Sequence, residues 1–111
     1  MSYCEQNAFH AAEDLQVRLL PGNRAALTWR RPHTGPHDAT AYSFRVLMQR
    51  QGGDGSWTKL GEDKDLLEFE TGPLAPVTTF HFCIQSYGIR GDGPRTAPVA
   101  LTTGVAGKTT R

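Results

Sequence analysis

The chain has 111 residues, enough for one domain with one hydrophobic core. Its apolar content of 38% and charged content of 21% are typical of a soluble globular chain and exclude a disordered one. Twelve Lys and Arg oppose eleven Asp and Glu, so no basic excess points to nucleic acid. No apolar stretch is long enough to span a membrane, and the first residues lack the basic end and apolar run of a signal peptide.

Alternation of apolar and polar residues marks two strands in the first part of the chain. We expect them at residues 15–19 and 25–29, joined by a turn of Pro, Gly and Asn at 21–23. Pro32 ends the second strand because proline cannot donate to a strand ladder. A loop rich in Pro, Gly and His follows at 32–38.

Three further short strands are predicted in the middle of the chain, and Trp57 anchors the second of them. The elements are a strand at 42–46, a Gly-rich turn at 51–55, a strand at 56–60, a charged turn at 61–65 and a strand at 67–71.

The stretch from Leu74 to Pro98 has the clearest pattern. After a turn at Pro76, two sets of side chains alternate, which predicts a half-buried antiparallel strand. The inward set is Phe80, Phe82, Ile84 and Ser86, and the outward set is His81, Cys83 and Gln85. A Gly-rich hairpin at 88–94 leads to a last strand through 99–103.

About seven short strands with no helical period predict an all-β antiparallel sandwich or barrel. We expect the domain at 14–103, an N-terminal tail or linker at 1–13 and a C-terminal linker at 104–111. Large aromatic side chains are expected to point inward and to dominate the burial energy. They are Trp29, Tyr42, Phe44, Trp57, Phe69, Phe80 and Phe82.

Four features in this order resemble a fibronectin type III domain over residues 14–103. They are Trp29 followed by Pro32, Tyr42-x-Phe44-x-Val46 at the start of the third strand, the run Leu74-x-Pro76-x-Thr78-x-Phe80-x-Phe82-x-Ile84-x-Ser86, and Gly91-x-Gly93-Pro94 followed by Ala97-Pro98. The resemblance implies a seven-stranded, immunoglobulin-like sandwich of two sheets. In it, the first, second and fifth strands face the other four.

One position departs from that family. Phe80 stands at the corner where this architecture normally has a tyrosine, whose hydroxyl bonds back to nearby backbone. A phenylalanine cannot make this bond, so we expect packing and Pro76 alone to hold the corner. Phe80→Tyr is expected to raise the unfolding midpoint.

Arg90-Gly91-Asp92 lies in the predicted hairpin, where the adhesive repeat of fibronectin carries the same tripeptide for integrins. An arginine fork and an aspartate that completes a divalent-metal site suit such recognition. The residue preferences of turns also explain most of the tripeptide, since Gly91 and Gly93 suit positive φ and aspartate is a favoured turn residue.

Five outward residues of the third and sixth strands are expected to be exposed and form a second candidate binding surface, because apolar and mixed residues stand where a purely solvated face would be more charged. They are Arg45, Leu47, His81, Cys83 and Gln85. The loops at 32–38 and 88–94 are alternative contact points. His81 and Cys83 lie two apart on one flat face without an orienting third group, which disfavours a nucleophile.

Other charged and metal-binding patterns have simpler explanations. His33 and His37 lack a third ligand, so we expect no metal site there. Cross-strand pairing with glutamates explains three arginines that are expected on one solvent-facing side of the sandwich, which disfavours a heparin-like site. The residues concerned are Arg18, Arg24, Arg30, Glu68 and Glu70. A cytokine-receptor domain is rejected because residues 92–97 lack the Trp-Ser-x-Trp-Ser segment.

The two cysteines, Cys4 and Cys83, are too few for a disulfide scaffold. The pattern favours two free thiols and a reducing compartment, and a Cys4–Cys83 bridge is the alternative. No glycosylation acceptor is present at Asn7 or Asn23. The resemblance favours the cell surface, and an intracellular location is equally open.

The sequence therefore predicts a non-catalytic spacer and protein–protein interaction module of a larger multidomain protein, with no cofactor and no metal. Its partners would be other proteins or neighbouring domains of the same chain, with no nucleic acid. One alternative is a cell-adhesion module that presents Arg90-Gly91-Asp92 to integrins, and another is an intracellular scaffold or cytoskeletal module.

Overall fold

Two antiparallel sheets enclose one hydrophobic core in the computed structural model of the chain, which describes residues 10–32, 43–88 and 91–105. Its eight strands are β1 (Glu13–Leu20), β2 (Arg24–Arg30), β3 (Ser43–Arg50), β4 (Thr58–Lys64), β5 (Glu68–Glu70), β6 (Thr79–Gly88), β7 (Gly91–Arg95) and β8 (Val99–Thr102).

The smaller sheet has the order β1-β2-β5, and the larger has the order β4-β3-β6-β7, with β8 also paired to β6. The first, second and fifth strands therefore face the others, and the predicted sandwich is confirmed. The predicted last strand is β8, and an eighth strand, β7, forms largely where the sequence predicted the Gly-rich hairpin. β7 and β8 pair with successive halves of β6. Between β7 and β8, Thr96 bonds to Ile84 through both its backbone N–H and its side-chain hydroxyl, and Pro98 has no N–H to continue the ladder.

The core lies between the sheets, on the inward faces of β2, β3 and β6. Trp29 and Phe44 meet edge to face with ring centroids 6.4 Å apart. Phe80 and Phe82 are buried, and Phe69 packs against the cluster from β5. These positions confirm the prediction that the five aromatics point inward. Full burial of a large apolar side chain contributes roughly 1.5–3 kcal/mol to stability. Tyr42, also predicted there, lies outside the described residues.

Trp57 is a correction to the predicted core. It precedes β4 by one residue and lies two residues from Lys59, which pairs with Leu47 on the outward side of β3. Because side chains alternate along a strand, Trp57 also faces outward. Its ring lies beside the guanidinium of Arg95 rather than among the core aromatics.

β4 extends further than the sequence predicts. The prediction of a charged turn at 61–65 is wrong, since β4 continues to Lys64 and pairs with β3 as far as Ser43. Charged residues are compatible with this position because β4 is an edge strand. A Cβ at Gly61 would stand 2.7 Å from the ring atom Cε1 of Phe69. The lack of a side chain at Gly61 therefore lets β4 approach the smaller sheet.

The corner before β6 is held by threonine hydroxyls as well as by packing. Thr103 Oγ1 donates to the carbonyl of Ala75 at 2.6 Å and accepts the N–H of Thr78 at 3.0 Å. Thr78 Oγ1 donates to the carbonyl of Pro76 at 2.8 Å. The expectation that packing and Pro76 alone hold this corner is therefore wrong, because two hydroxyls of other residues bond the backbone there.

Contacts at both ends of the domain extend slightly past the expected limits of 14 and 103. Ala12 is buried in the core cluster, and Ser86 Oγ donates to the carbonyl of His10 at 2.7 Å. The N–H of Gly104 donates to Asn23 Oδ1 at 3.0 Å. The limits themselves stay predictions, because most of the predicted tail at 1–13 and of the predicted linker at 104–111 lies outside the described residues.

Candidate binding face

The five outward residues predicted for binding lie together on one side of the larger sheet. Antiparallel pairing of β3 with β6 places Arg45 opposite Gln85, Leu47 opposite Cys83 and Gln49 opposite His81. β7 adds Arg95 beside Gln85. We call this side of the larger sheet the outer face. The sequence placed these residues on the correct side because strict alternation decides which way a strand side chain points.

Arg45 is the centre of a polar network on the outer face. Its Nε donates to Glu62 Oε1 at 2.8 Å, and its Nη1 donates to Gln85 Oε1 and to Asp92 Oδ1, both at 3.1 Å. The guanidinium carbon lies 4.4 Å from the centroid of the Tyr87 ring. Arg45 thus connects β3 to β4, β6 and β7.

This network changes the acid–base behaviour of its members. The hydrogen bond from Arg45 holds the pKa of the Glu62 carboxyl below its usual value, with a further contribution from Lys59. The same bond raises the pKa of Arg45, helped by Asp92 and opposed by partial burial. The ionised forms of Arg45 and Glu62 are therefore both favoured by their contact.

The predicted exposure of Leu47 and Cys83 is wrong. Leu47 is 5% exposed and Cys83 is 1% exposed, although both point outward. The guanidinium of Arg95 lies 5.9 Å from the centroid of the Trp57 ring. Trp57 adjoins β4 and Arg95 belongs to β7, so their side chains meet above β3 and β6, the two strands between them. The pair therefore covers Leu47 and Cys83, and a second layer lies on the outer face.

The chemistry of Cys83 follows from this cover. Cys83 is a free cysteine, and burial raises the pKa of its thiol, which the charge of Arg95 partly opposes. A buried neutral thiol is a poor nucleophile. His81, two residues away, places Nε2 3.1 Å from Gln51 Oε1. Cys4, the other cysteine, lies outside the described residues.

Two residues of the Arg-Gly-Asp tripeptide belong to a strand rather than to a turn. Gly91 pairs with Gly88 and Asp92 pairs with Tyr87, so β7 begins within the predicted hairpin. Gly91 has a φ of +121°, which favours glycine, whereas Gly93 has no positive φ. Asp92 is 61% exposed at its side chain but holds Arg45. Arg90 lies outside the described residues.

The outward side of the smaller sheet carries charges of both signs. Arg24 meets Glu70 at 3.4 Å across β2 and β5, and Arg30 meets Asp14 at 3.5 Å. A groove of about 400 Å³ beside them is lined by Arg18, Glu68 and Glu70 among others. The expected cross-strand pairing is present for Arg24, and the groove has no surplus of positive charge.

Within residues 10–32, 43–88 and 91–105, no three His, Cys, Asp or Glu side chains gather as metal ligands would. His33 and His37 lie outside these ranges, as does most of the loop at 32–38. The same ranges contain no helix long and apolar enough to cross a membrane.

Solved structures with the same architecture are similar to this chain. The 6th fibronectin type III domain from human fibronectin type III domain containing protein 3 is 22% identical, with a TM-score of 0.74 over 94% of this chain and 93% of that one. The FN5 domain of Drosophila Lar is 20% identical, with a TM-score of 0.68 over 87% and 98%. The FN1–FN3 domains of chicken CNTN1 are 12% identical, with a TM-score of 0.73 over 86% of this chain and 32% of that one. No family model and no curated protein matches the sequence.

Proposed function

Because the chain has the fibronectin type III fold, we propose that it is a non-catalytic interaction and spacer module of a larger multidomain protein, and that it binds a protein partner through the outer face. The fold is found within longer chains, since this chain spans about a third of the chicken CNTN1 structure. Fold alone does not decide function, so the proposal depends on the surface.

The observation that carries the proposal is the Trp57–Arg95 layer. Arg95 is exposed, its guanidinium lies beside the Trp57 ring, and it meets no carboxylate among the described residues. Tryptophan and arginine are enriched at the energetic centres of protein interfaces. Arg45, Gln85 and His81 surround this layer with hydrogen-bonding groups. An apolar centre with a polar rim is the usual arrangement of an interface.

The same face does not support catalysis. Its thiol is buried beneath the Trp57–Arg95 layer, and burial raises the pKa of that thiol. A nucleophile needs an adjacent base within hydrogen-bond reach, and His81 instead bonds to Gln51. A binding surface is therefore the function that these residues support best.

An NMR titration tests the proposal. The labelled chain is mixed with neighbouring domains of its parent protein and with candidate partners, and backbone amide shifts are followed. We expect the perturbed residues to cluster around Trp57, Arg95 and Gln85. Trp57→Ala with Arg95→Ala should weaken binding at least tenfold, whereas Arg18→Ala on the smaller sheet should leave it unchanged. Binding that perturbs no outer-face residue, or that is equally strong in both variants, would contradict the proposal.

Cell adhesion through Arg90-Gly91-Asp92 is less well supported. The carboxylate of Asp92 is engaged by Arg45 along the sheet, whereas an integrin-type site requires that carboxylate for a divalent metal.

A further inference from the structure

The charged side chains of the outer face do not balance. Cations stand at four of its described positions and carboxylates at two, which leaves a surplus of two positive charges. The cations are Arg45, Lys59, Lys64 and Arg95, and the carboxylates are Glu62 and Asp92. The whole chain has a formal net charge of only +1, so this surplus is local.

Both carboxylates of the outer face are already bonded within the domain. Arg45 donates to Glu62 at 2.8 Å and to Asp92 at 3.1 Å, and Lys59 Nζ lies 3.3 Å from Glu62 Oε2. Neither carboxylate is therefore left to neutralise Arg95. On the smaller sheet, by contrast, Arg24 and Arg30 each meet a carboxylate.

Arg95 has hydrogen-bond donors that the domain does not use. Its guanidinium carbon lies 5.9 Å from the centroid of the Trp57 ring, and a cation–π contact occupies no N–H group. No described residue accepts a hydrogen bond from this guanidinium. The planar fork of an arginine matches a carboxylate with two parallel hydrogen bonds. A carboxylate of another molecule is therefore the group that Arg95 is best arranged to bind.

Lys64 is the second cation of the outer face that meets no carboxylate among the described residues. It belongs to β4, whereas Arg95 belongs to β7, and these strands are the two ends of the order β4-β3-β6-β7. Three strand spacings separate them, or about 14 Å. A single small anion cannot meet both cations, but an extended segment of several residues can.

We propose that the outer face binds an acidic, extended segment of a protein partner, with one carboxylate on Arg95 and an apolar side chain against the Trp57 ring. This inference rests on the proposed function, because it names the chemistry of the partner for the same face. The Trp57 ring is only half-buried, so it offers apolar surface beside the guanidinium.

Other occupants fit the outer face less well. A second copy of the chain in an isologous contact would bring two positively charged faces together. A sulfated polysaccharide or a nucleic acid presents a dense row of charges and needs several free cations side by side. Arg95 and Lys64 lie on opposite edges of the sheet, and the other two cations already meet Glu62.

Selection from a library of random linear peptides tests the inference, because it requires no known partner. The 111-residue chain is immobilised, and the bound peptides are sequenced and mapped by amide shifts. We expect the selected peptides to contain at least two carboxylates and one aromatic or large aliphatic side chain. Their binding should perturb the amides of Trp57 and Arg95.

One selected peptide is then compared with its counterpart in which amides replace the carboxylates. The amide form should bind at least tenfold more weakly, and added salt should weaken only the acidic form. Arg95→Gln should weaken the acidic peptide about threefold or more, as expected for the loss of one partly exposed charged pair. Arg95→Lys should recover part of this loss, because it retains the charge but not the fork. Arg18→Gln, the control, removes the same charge from the smaller sheet and should change nothing.

The outcomes separate this inference from the proposed function. Selected peptides that bind the outer face without carboxylates, or equal affinity of the acidic and amide forms, would overturn the inference and leave the interaction module standing. Equal losses in Arg95→Gln and Arg18→Gln would also overturn it, since binding would then follow net charge alone. So would a failure to select any peptide, or binding of heparin to the outer face when no acidic peptide is selected. Peptides that bind elsewhere, with no shift at Trp57 or Arg95, would contradict both proposals.

Discussion

Arg45 Nη1 lies 3.1 Å from Asp92 Oδ1, so a side chain of β3 holds the carboxylate of the Arg-Gly-Asp tripeptide along the sheet. A carboxylate in this position is not directed away from the domain as an integrin ligand requires. We expect the immobilised chain to support no more cell attachment than its Asp92→Glu variant, with the adhesive repeat of fibronectin as the positive control. Divalent-cation-dependent attachment that Asp92→Glu abolishes would show that the tripeptide is functional despite this contact.

Glu62 should make the domain sensitive to acid. Its pKa is lower in the folded chain than in the unfolded one, where a glutamate titrates near about 4.3. Its stabilising contribution is therefore complete above the unfolded value and is lost as the pH falls through the folded value. Urea unfolding from pH 7 to pH 3 should show a smaller loss of stability in Glu62→Gln than in the native chain. Glu68→Gln, on the smaller sheet, should follow the native curve, and identical curves for all three proteins would contradict the role of Glu62.

Gly61→Ala should destabilise the fold because the new Cβ would lie 2.7 Å from Cε1 of Phe69. Overpacking of this kind costs about 1–3 kcal/mol of unfolding free energy. Gly72→Ala is a matched control, since a Cβ at Gly72 meets nothing within 4 Å. Chemical denaturation measures both. If Gly61→Ala is as stable as Gly72→Ala, the Phe69 ring has space to move and the close approach is not required.

Thr103 should contribute more to the corner than its exposed neighbour Thr102 does. Thr103→Val leaves the Thr78 N–H and the Ala75 carbonyl without their partner, which costs about 1–3 kcal/mol. Thr102 shares its hydroxyl bond with Thr79 at an exposed site, so Thr102→Val should cost less. Phe80→Tyr is still expected to raise the unfolding midpoint, and the gain should be larger in the Thr103→Val background, where a corner carbonyl is vacant. A lower midpoint in both backgrounds would mean that the Phe80 site has no space for a hydroxyl.

Removal of Trp57 should expose the thiol of Cys83. In a Cys4→Ser background, which leaves one cysteine, the reaction of the native chain with a thiol-specific disulfide reagent should be slow because Cys83 is 1% exposed. Trp57→Ala should accelerate this reaction at least tenfold while Arg95 remains. Leu67→Ala, far from the thiol, should leave the rate unchanged. Equal rates for Trp57→Ala and the native chain would show that Trp57 does not cover Cys83.

Alternation along single strands explains why much of the candidate site could be predicted. The side on which Arg45, His81 and Gln85 lie depends only on the two-residue period and on which neighbours are apolar. What could not be predicted is which outward residues are covered. Leu47 and Cys83 are buried by Trp57 and Arg95, and the latter two lie on opposite sides of the β3–β6 pair. A local pattern contains no information about contacts between segments nearly forty residues apart.

The sequence by itself determined the all-β class and the inward positions of Trp29, Phe44, Phe69, Phe80 and Phe82, because these follow from local periodicity and turn residues. The resemblance to fibronectin type III domains implied how the strands divide between the two sheets. Tertiary structure alone decided the roles of Asp92, Thr103 and Trp57, since each role depends on a partner brought close by folding. The Arg-Gly-Asp tripeptide shows the difference clearly. The three residues are evident in the sequence, but the hydrogen-bond partner of the Asp92 carboxylate depends on where β3 places Arg45.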